Sequence, residues 1–136
     1  MEFVRVKGDK FFYKGKPLLF RGLGIGSWLN MEHFMLGIPT PEKQIKEAFT
    51  ECFGQEKSES FFEDFVTSFV GEEDFKFLKK LGINLLRVPF NYHWFLDDEN
   101  PAVFKEEGFR HFDRLLKLCT EFEIFLMPDL HAAPGG

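Results

Sequence analysis

The sequence has little of what several function classes require. It holds only two cysteines, Cys52 and Cys119, in 136 residues, too few for a disulfide framework. Both fall at helix-spaced positions among apolar residues, where a free thiol packs as a small hydrophobe. Positive charge is scarce: 17 basic against 22 acidic residues leave a net charge of −5. A nucleic-acid partner would need a basic stripe, so none is expected. The charges are interspersed, with no acidic tail. No apolar run approaches the ~18 residues of a membrane-spanning helix, and no membrane partner is expected. The opening MEFVRVKGDK lacks the apolar core of a secretory leader. A cytoplasmic location is therefore expected for this form, or an extracellular one if a leader has been lost.

Metal-ligand patterns are missing too. There is no HxH, HExxH or CxxC, and Asp129 and His131 would need His33 or His93 to join them before they could hold an ion. The expectation is no metal and no other cofactor. Gly22, Gly24 and Gly26 invite a dinucleotide reading, but Ser27 and Leu29 occupy the positions where a GxGxxG pattern needs its last glycine. Ser27 lacks the GxSxG elbow of a hydrolase nucleophile.

Phenylalanine is abundant, with 20 in the chain; an aromatic-heavy core is the simplest expectation. From Phe3 to Phe20, Gly8-Asp9 and Lys14-Gly15 are turn dipeptides between apolar runs and predict a β-hairpin. Leu18 to Ile25 reads as a strand. Thr40-Pro41 predicts a helix start, with Thr40 as cap, and Ile45, Ala48, Phe49, Cys52 and Phe53 give the helical spacing up to Gly54. A second amphipathic stretch carries Phe61, Phe62, Phe65, Val66 and Phe69. Glu72, Glu73 and Asp74 open another helix, where the dipole favours negative charge; Phe75, Leu78 and Leu81 form its apolar face. Ile83 to Val88 is a strand apolar enough for both faces to be covered. A helix follows over Glu106 to Phe122, with Phe109, Phe112, Leu115, Leu116 and Cys119 on one face. Ile124 to Leu130 is the next strand.

The order is hairpin, strand, long helical insertion, strand, helix, strand. Such alternation predicts an α/β fold with a parallel sheet. At 136 residues the chain is far below the ~250 of a complete eight-stranded barrel. No linker divides it, so residues 1–136 read as one incomplete domain. Open sheet edges would make association possible.

Polar groups at the carboxyl ends of parallel strands suggest the rim of a barrel active site. Arg87 lies inside an apolar strand and needs a carboxylate from another strand, or a substrate, because an unpaired buried charge is costly. Asp129 and His131 are two apart and project to one side of a strand; Asp129 either orients His131 or faces the site with it. Trp28, Tyr92 and Trp94 follow the strands and offer flat faces suited to a sugar ring or to core packing. Glu32, four residues after Trp28, is within reach of the same mouth.

These segments carry a resemblance. FRGLGIGSWLNME, FLKKLGINLLRVPFNYHWF and PDLHAAPGG, in this order over most of the chain, resemble the amino-terminal part of glycoside hydrolase family 5, in its β-glucosidase and exo-β-1,3-glucanase-like branch. The resemblance implies a (β/α)8 TIM barrel preceded by a β-hairpin, with the hairpin and strands one to three present here. It implies hydrolysis of β-glucans or β-glucosides by a retaining mechanism, with a β-linked oligosaccharide or glucoside as partner. Arg87 and His131 would be support groups at the ends of strands two and three. Glu32, Trp28, Tyr92, Trp94 and Asp129 would face the sugar. The family's acid/base Glu follows an Asn after strand four and its nucleophile Glu ends strand seven. Neither position is matched here, so no catalytic residue is assigned and the chain alone is expected to be inactive. His93 departs from the glucanase branch, which has an aromatic or small residue there. Two other readings are a non-catalytic carbohydrate-binding or scaffold module and a metal-dependent barrel hydrolase.

Overall fold

Two short turns set the first sheet. The computed structural model describes residues 2–134; Gly135 and Gly136, the last two residues of PDLHAAPGG, lie outside the described residues. Lys14 and Gly15 both take positive φ, 51° and 72°, the turn whose twist suits a two-residue hairpin loop. The hairpin is extended by one strand into an antiparallel sheet of β1 (Arg5–Lys7), β2 (Lys10–Tyr13) and β3 (Lys16–Leu18). The expected single strand over Leu18 to Ile25 is divided. Leu18 closes the hairpin sheet, and β4 (Gly22–Gly24) belongs to a second one.

The second sheet is parallel, in the order β4–β5–β6, with β5 (Leu85–Asn91) between β4 and β6 (Phe125–Ala132). Asn84 ties its amino end together. Its side chain accepts from the Arg21 N–H at 2.7 Å and donates to the Leu19 carbonyl at 2.8 Å, while its own carbonyl accepts from the Phe125 N–H. Pro89 sits in the central strand, where a missing N–H would normally break the ladder. Its neighbours Arg87 and Asn91 bond to Ile25 and Leu29. Pro89 therefore falls where the first strand has peeled away as the Gly26–Trp28 turn.

Helices cover one face. After the short α1 (His33–Leu36) come α2 (Glu42–Phe53), α3 (Gln55–Ser68) and α4 (Glu72–Lys80), with α5 (Phe109–Glu121) between β5 and β6. Gly54, at φ 85°, makes the tight corner between α2 and α3. Pro41, not Thr40, is the cap of α2, and the Thr40 hydroxyl bonds Gln44 instead. The charged first turn of α4 forms as expected, with Asp74 Oδ2 accepting from the Gly71 N–H at 2.8 Å.

The core lies between helices and sheet and centres on Ile25, Trp28, Leu29, Val66, Phe75, Leu86, Val88, Phe112 and Leu115. Aromatics are prominent in it: Trp28, Phe75 and Phe112 are buried and Phe65, Phe90, Phe95 and Phe122 pack against them, while Phe34, Phe77 and Phe104 are mostly exposed. On α5 the buried stripe is His111, Phe112, Leu115 and Cys119, with Phe109 and Leu116 outside it. Cys119 is buried, but Cys52 is exposed, against the expectation for it. Both are free thiols.

Candidate functional site

The face of the parallel sheet away from the helices carries alternate residues of each strand. In register these are Gly24, Arg87 and Met127, and one pleat further on Pro89 and Asp129. Gly24 presents no side chain, so a Cβ there would lie 3.7 Å from Arg87 Nη1. The guanidinium is thus left uncovered on that flank. It leans one pleat toward the strand ends and meets Asp129 of β6, with Nη2 2.5 Å from Oδ2. The carboxylate that Arg87 needs thus comes from the neighbouring strand.

His131 completes a triangle. Its Nδ1 is 3.1 Å from Arg87 Nη2 and 3.1 Å from Asp129 Oδ2. One nitrogen cannot serve both partners, because Arg87 only donates and the carboxylate only accepts. If Nδ1 carries the proton, it donates to Asp129. If Nδ1 is bare, it accepts from Arg87, and the Nε2–H turns toward Glu32 Oε1 at 3.7 Å. Glu32, from the loop after β4, thereby joins the group with a side chain only 16% exposed. Arg87, Asp129, His131 and Glu32 form one cluster of one cation, two carboxylates and an imidazole; β5 runs on to Asn91, so Arg87 reaches the group from within its strand rather than ending it as expected, while Asp129 and His131 stand toward the carboxyl end of β6. Such a cluster can grip hydroxyl groups as donor and acceptor together, and its arginine retains Nη1 and Nε for a further carboxylate.

Three aromatic candidates stand elsewhere. Trp28 is 1% exposed, and its indole N–H donates to the Val66 carbonyl at 2.8 Å. It is a core residue, because the chain turns at Gly26–Ser27 and drives the ring under α3. Trp94 is half-buried and donates to the Leu29 carbonyl at 2.8 Å. Tyr92 donates to Asp98 Oδ1 at 2.6 Å, a bond that raises its phenol pKa first of all causes, with burial and the Asp98 charge adding to it. Its ring lies by His93 and borders an apolar groove of about 420 Å³ with Phe90, Phe95, Phe104 and Leu130.

A cleft of about 290 Å³ separates α2, α3 and Trp94. Its polar side chains are already paired: Lys46 with Glu42, Gln55 with Glu59, Thr50 with Ser58, and Glu63 with Arg110 outside the cleft. It offers a ligand no free donor or acceptor comparable with the Arg87 cluster.

Sequence reasoning did not assign Gly26 or Ser27 a place in the site. The Ser27 N–H donates to Glu32 Oε2 at 3.3 Å, and a Cβ on Gly26 would collide with Met35 Sδ at 2.5 Å. The unexplained third glycine of GLGIG was the available signal. Among the described residues no group of three or more His, Cys, Asp or Glu side chains is arranged to hold a metal ion.

No family model matches the chain. Curated relatives do. It is 47% identical over its full length to a β-xylosidase of Phanerodontia chrysosporium and 30% identical over its full length to a glucan 1,3-β-glucosidase of Lachancea kluyveri. An endoglucanase C of Acetivibrio thermocellus is 32% identical over 55% of the chain. The chain spans 29% of the first relative, 34% of the second and 22% of the third. Among solved structures, a rutinosidase from Aspergillus niger superposes with a TM-score of 0.66 over 86% of this chain and 34% of that one, at 17% identity, which speaks to the fold. The sheet order, the preceding hairpin and these relatives agree: the chain is an amino-terminal segment of a glycoside hydrolase TIM barrel, with a hairpin sheet ahead of three parallel strands.

Proposed function

We propose that this chain supplies the glycone-side support face of a retaining β-glycosidase acting on β-glucans or β-glucosides. The observation that carries the reading is the convergence of Arg87, Asp129, His131 and Glu32 on the sheet face away from the helices, toward the strand ends where barrel enzymes place their chemistry. A retaining reaction needs two carboxyl groups ~5–5.5 Å apart flanking the scissile bond, one attacking and one donating a proton. In this reading neither is among the four. Arg87 keeps donors free to hold the attacking carboxylate ionised, since a nearby cation favours the charged form. Glu32 and His131 hold sugar hydroxyls, and Asp129 fixes both Arg87 and His131. The names of the relatives, a β-xylosidase and a glucan 1,3-β-glucosidase, support a β-linked glycoside as substrate.

The test is a titration of the purified chain with an aryl β-glucoside, followed by NMR and by release of the aryl group. The expected result is weak, saturable shifts at Glu32 and His131 without turnover. Turnover that copurifies with the chain and disappears in Arg87→Ala would overturn the assignment of both reacting carboxylates to other residues. Absence of any saturable response at Glu32 and His131 would overturn the sugar site.

A further inference from the structure

We propose that Ser27 is a positioning residue that aims the Glu32 carboxylate into the site, and that Gly26 is bare so that it can do so. The need for such a device is plain from the fold. Glu32 caps a helix of only four residues, α1, and its own backbone is extended, with φ −105° and ψ 111°. Nothing in so short a helix fixes where its side chain points.

Ser27 makes three bonds to this residue five positions away: its hydroxyl fixes the Glu32 backbone, and its backbone N–H holds the carboxylate. Its hydroxyl accepts from the Glu32 N–H at 3.2 Å and donates to the Glu32 carbonyl at 3.4 Å. Its own N–H holds Glu32 Oε2 at 3.3 Å. With Oε2 held by the backbone, Oε1 is the oxygen turned to His131 Nε2, 3.7 Å away. Ser27 is 3% exposed and sits at φ 58°, in the left-handed region that a non-glycine residue adopts only where its surroundings over-determine it. The hydroxyl is the reason to keep the strain. At Gly26 a Cβ would stand 2.5 Å from Met35 Sδ and 3.0 Å from Glu32 Oε2. A Cβ there makes the exposed Met35 side chain swing aside and presses the Glu32 carboxylate by a few tenths of an ångström.

The proposal rests on the site reading above for its purpose, but its test uses no sugar. In Ser27→Gly the turn is kept and the hydroxyl removed. Cross-relaxation between the Glu32 γ-protons and the His131 ring protons is expected to fall by at least about threefold, and exchange of the Glu32 amide to speed up by about tenfold. Unchanged cross-relaxation in Ser27→Gly overturns the proposal. Should that variant fail to fold, Gly26→Ala provides the second measurement. Its Cβ is expected to weaken the same cross-relaxation while Ser27 remains, and no change there equally overturns the proposal. Ser27→Asn, which tolerates the left-handed region and keeps an acceptor, is expected to restore amide protection at Glu32; failure to restore it counts against the hydrogen-bond account. Loss of glucoside binding with the Glu32–His131 contact intact would refute the sugar reading alone.

Discussion

Arg87 and Asp129 are bonded across two adjacent parallel strands, Nη2 to Oδ2 at 2.5 Å, although their backbones are offset by one pleat, Arg87 facing Met127 and Asp129 facing Pro89. The pair is half-exposed, so its contribution is modest. Asp129→Ala is expected to destabilise the chain by about 1 kcal/mol. The double change Arg87→Ala/Asp129→Ala should cost less than the sum of the singles, because each single leaves a polar group without its partner. Urea unfolding of the four proteins measures this; strict additivity would show that the contact does not hold in solution.

Trp28→Ala should be far more damaging. The ring is 1% exposed and bridges β4 to α3, and large-to-small changes of a core aromatic cost about 3–5 kcal/mol. Trp28→Phe fills most of the space and loses the indole bond to the Val66 carbonyl, which Arg114 Nη2 still reaches at 3.5 Å, at about 1 kcal/mol. Thermal melts of the two variants should rank them in that order. A Trp28→Ala protein as stable as the parent would contradict the packing.

His111 predicts a pH dependence. It is 3% exposed, its Nε2 has no partner among the described residues, and its ring packs edge-on to Trp94. Its pKa is lowered below 6.5, first by desolvation and then by Arg110; Glu63 raises it, and Arg114 adds a smaller lowering. The unfolded chain therefore binds this proton more readily than the folded one. The resulting stability is complete above about pH 6.5 and is lost as pH falls toward the folded pKa. Denaturant midpoints between pH 7 and pH 5 should fall for the parent and fall less for His111→Gln.

The two thiols should react in sequence. Cys52 is exposed, while burial pushes the Cys119 thiol up to about 11. A thiol reagent at neutral pH is expected to modify Cys52 quickly and Cys119 only on unfolding. Cys52→Ser should abolish the fast phase, and a fast phase that survives it would place Cys119 at the surface.

Open edges should make the chain associate. Among the described residues β6 lies at an edge of the parallel sheet, Leu130 is 51% exposed, and the groove beside it is lined by Phe90, Phe104 and Phe109. Sedimentation is expected to show concentration-dependent association that Leu130→Glu reduces. Equal behaviour of the two proteins would remove this surface from consideration.

What could be read without coordinates was local. Gly54 marked a chain corner, the acidic triplet at 72–74 marked a helix start, and the two-residue period put Asp129 and His131 on one side of their strand. The alternation of elements gave the parallel sheet, and three motifs in order gave the kind of barrel. None of these depends on which distant residues meet. Pairings over long sequence separations were not legible. Arg87 finds Asp129 only through the register of β5 on β6. Trp28 is buried only because α3 folds back over it, and Cys52 is exposed because its helix face is left uncovered. Ser27 reaches Glu32 through a left-handed turn that no period reveals. Local pattern thus sets the elements and the chemistry available at the strand ends. The tertiary structure decided which of those groups converge, because register, helix packing and a strained turn are set by contacts between segments that are far apart in the chain.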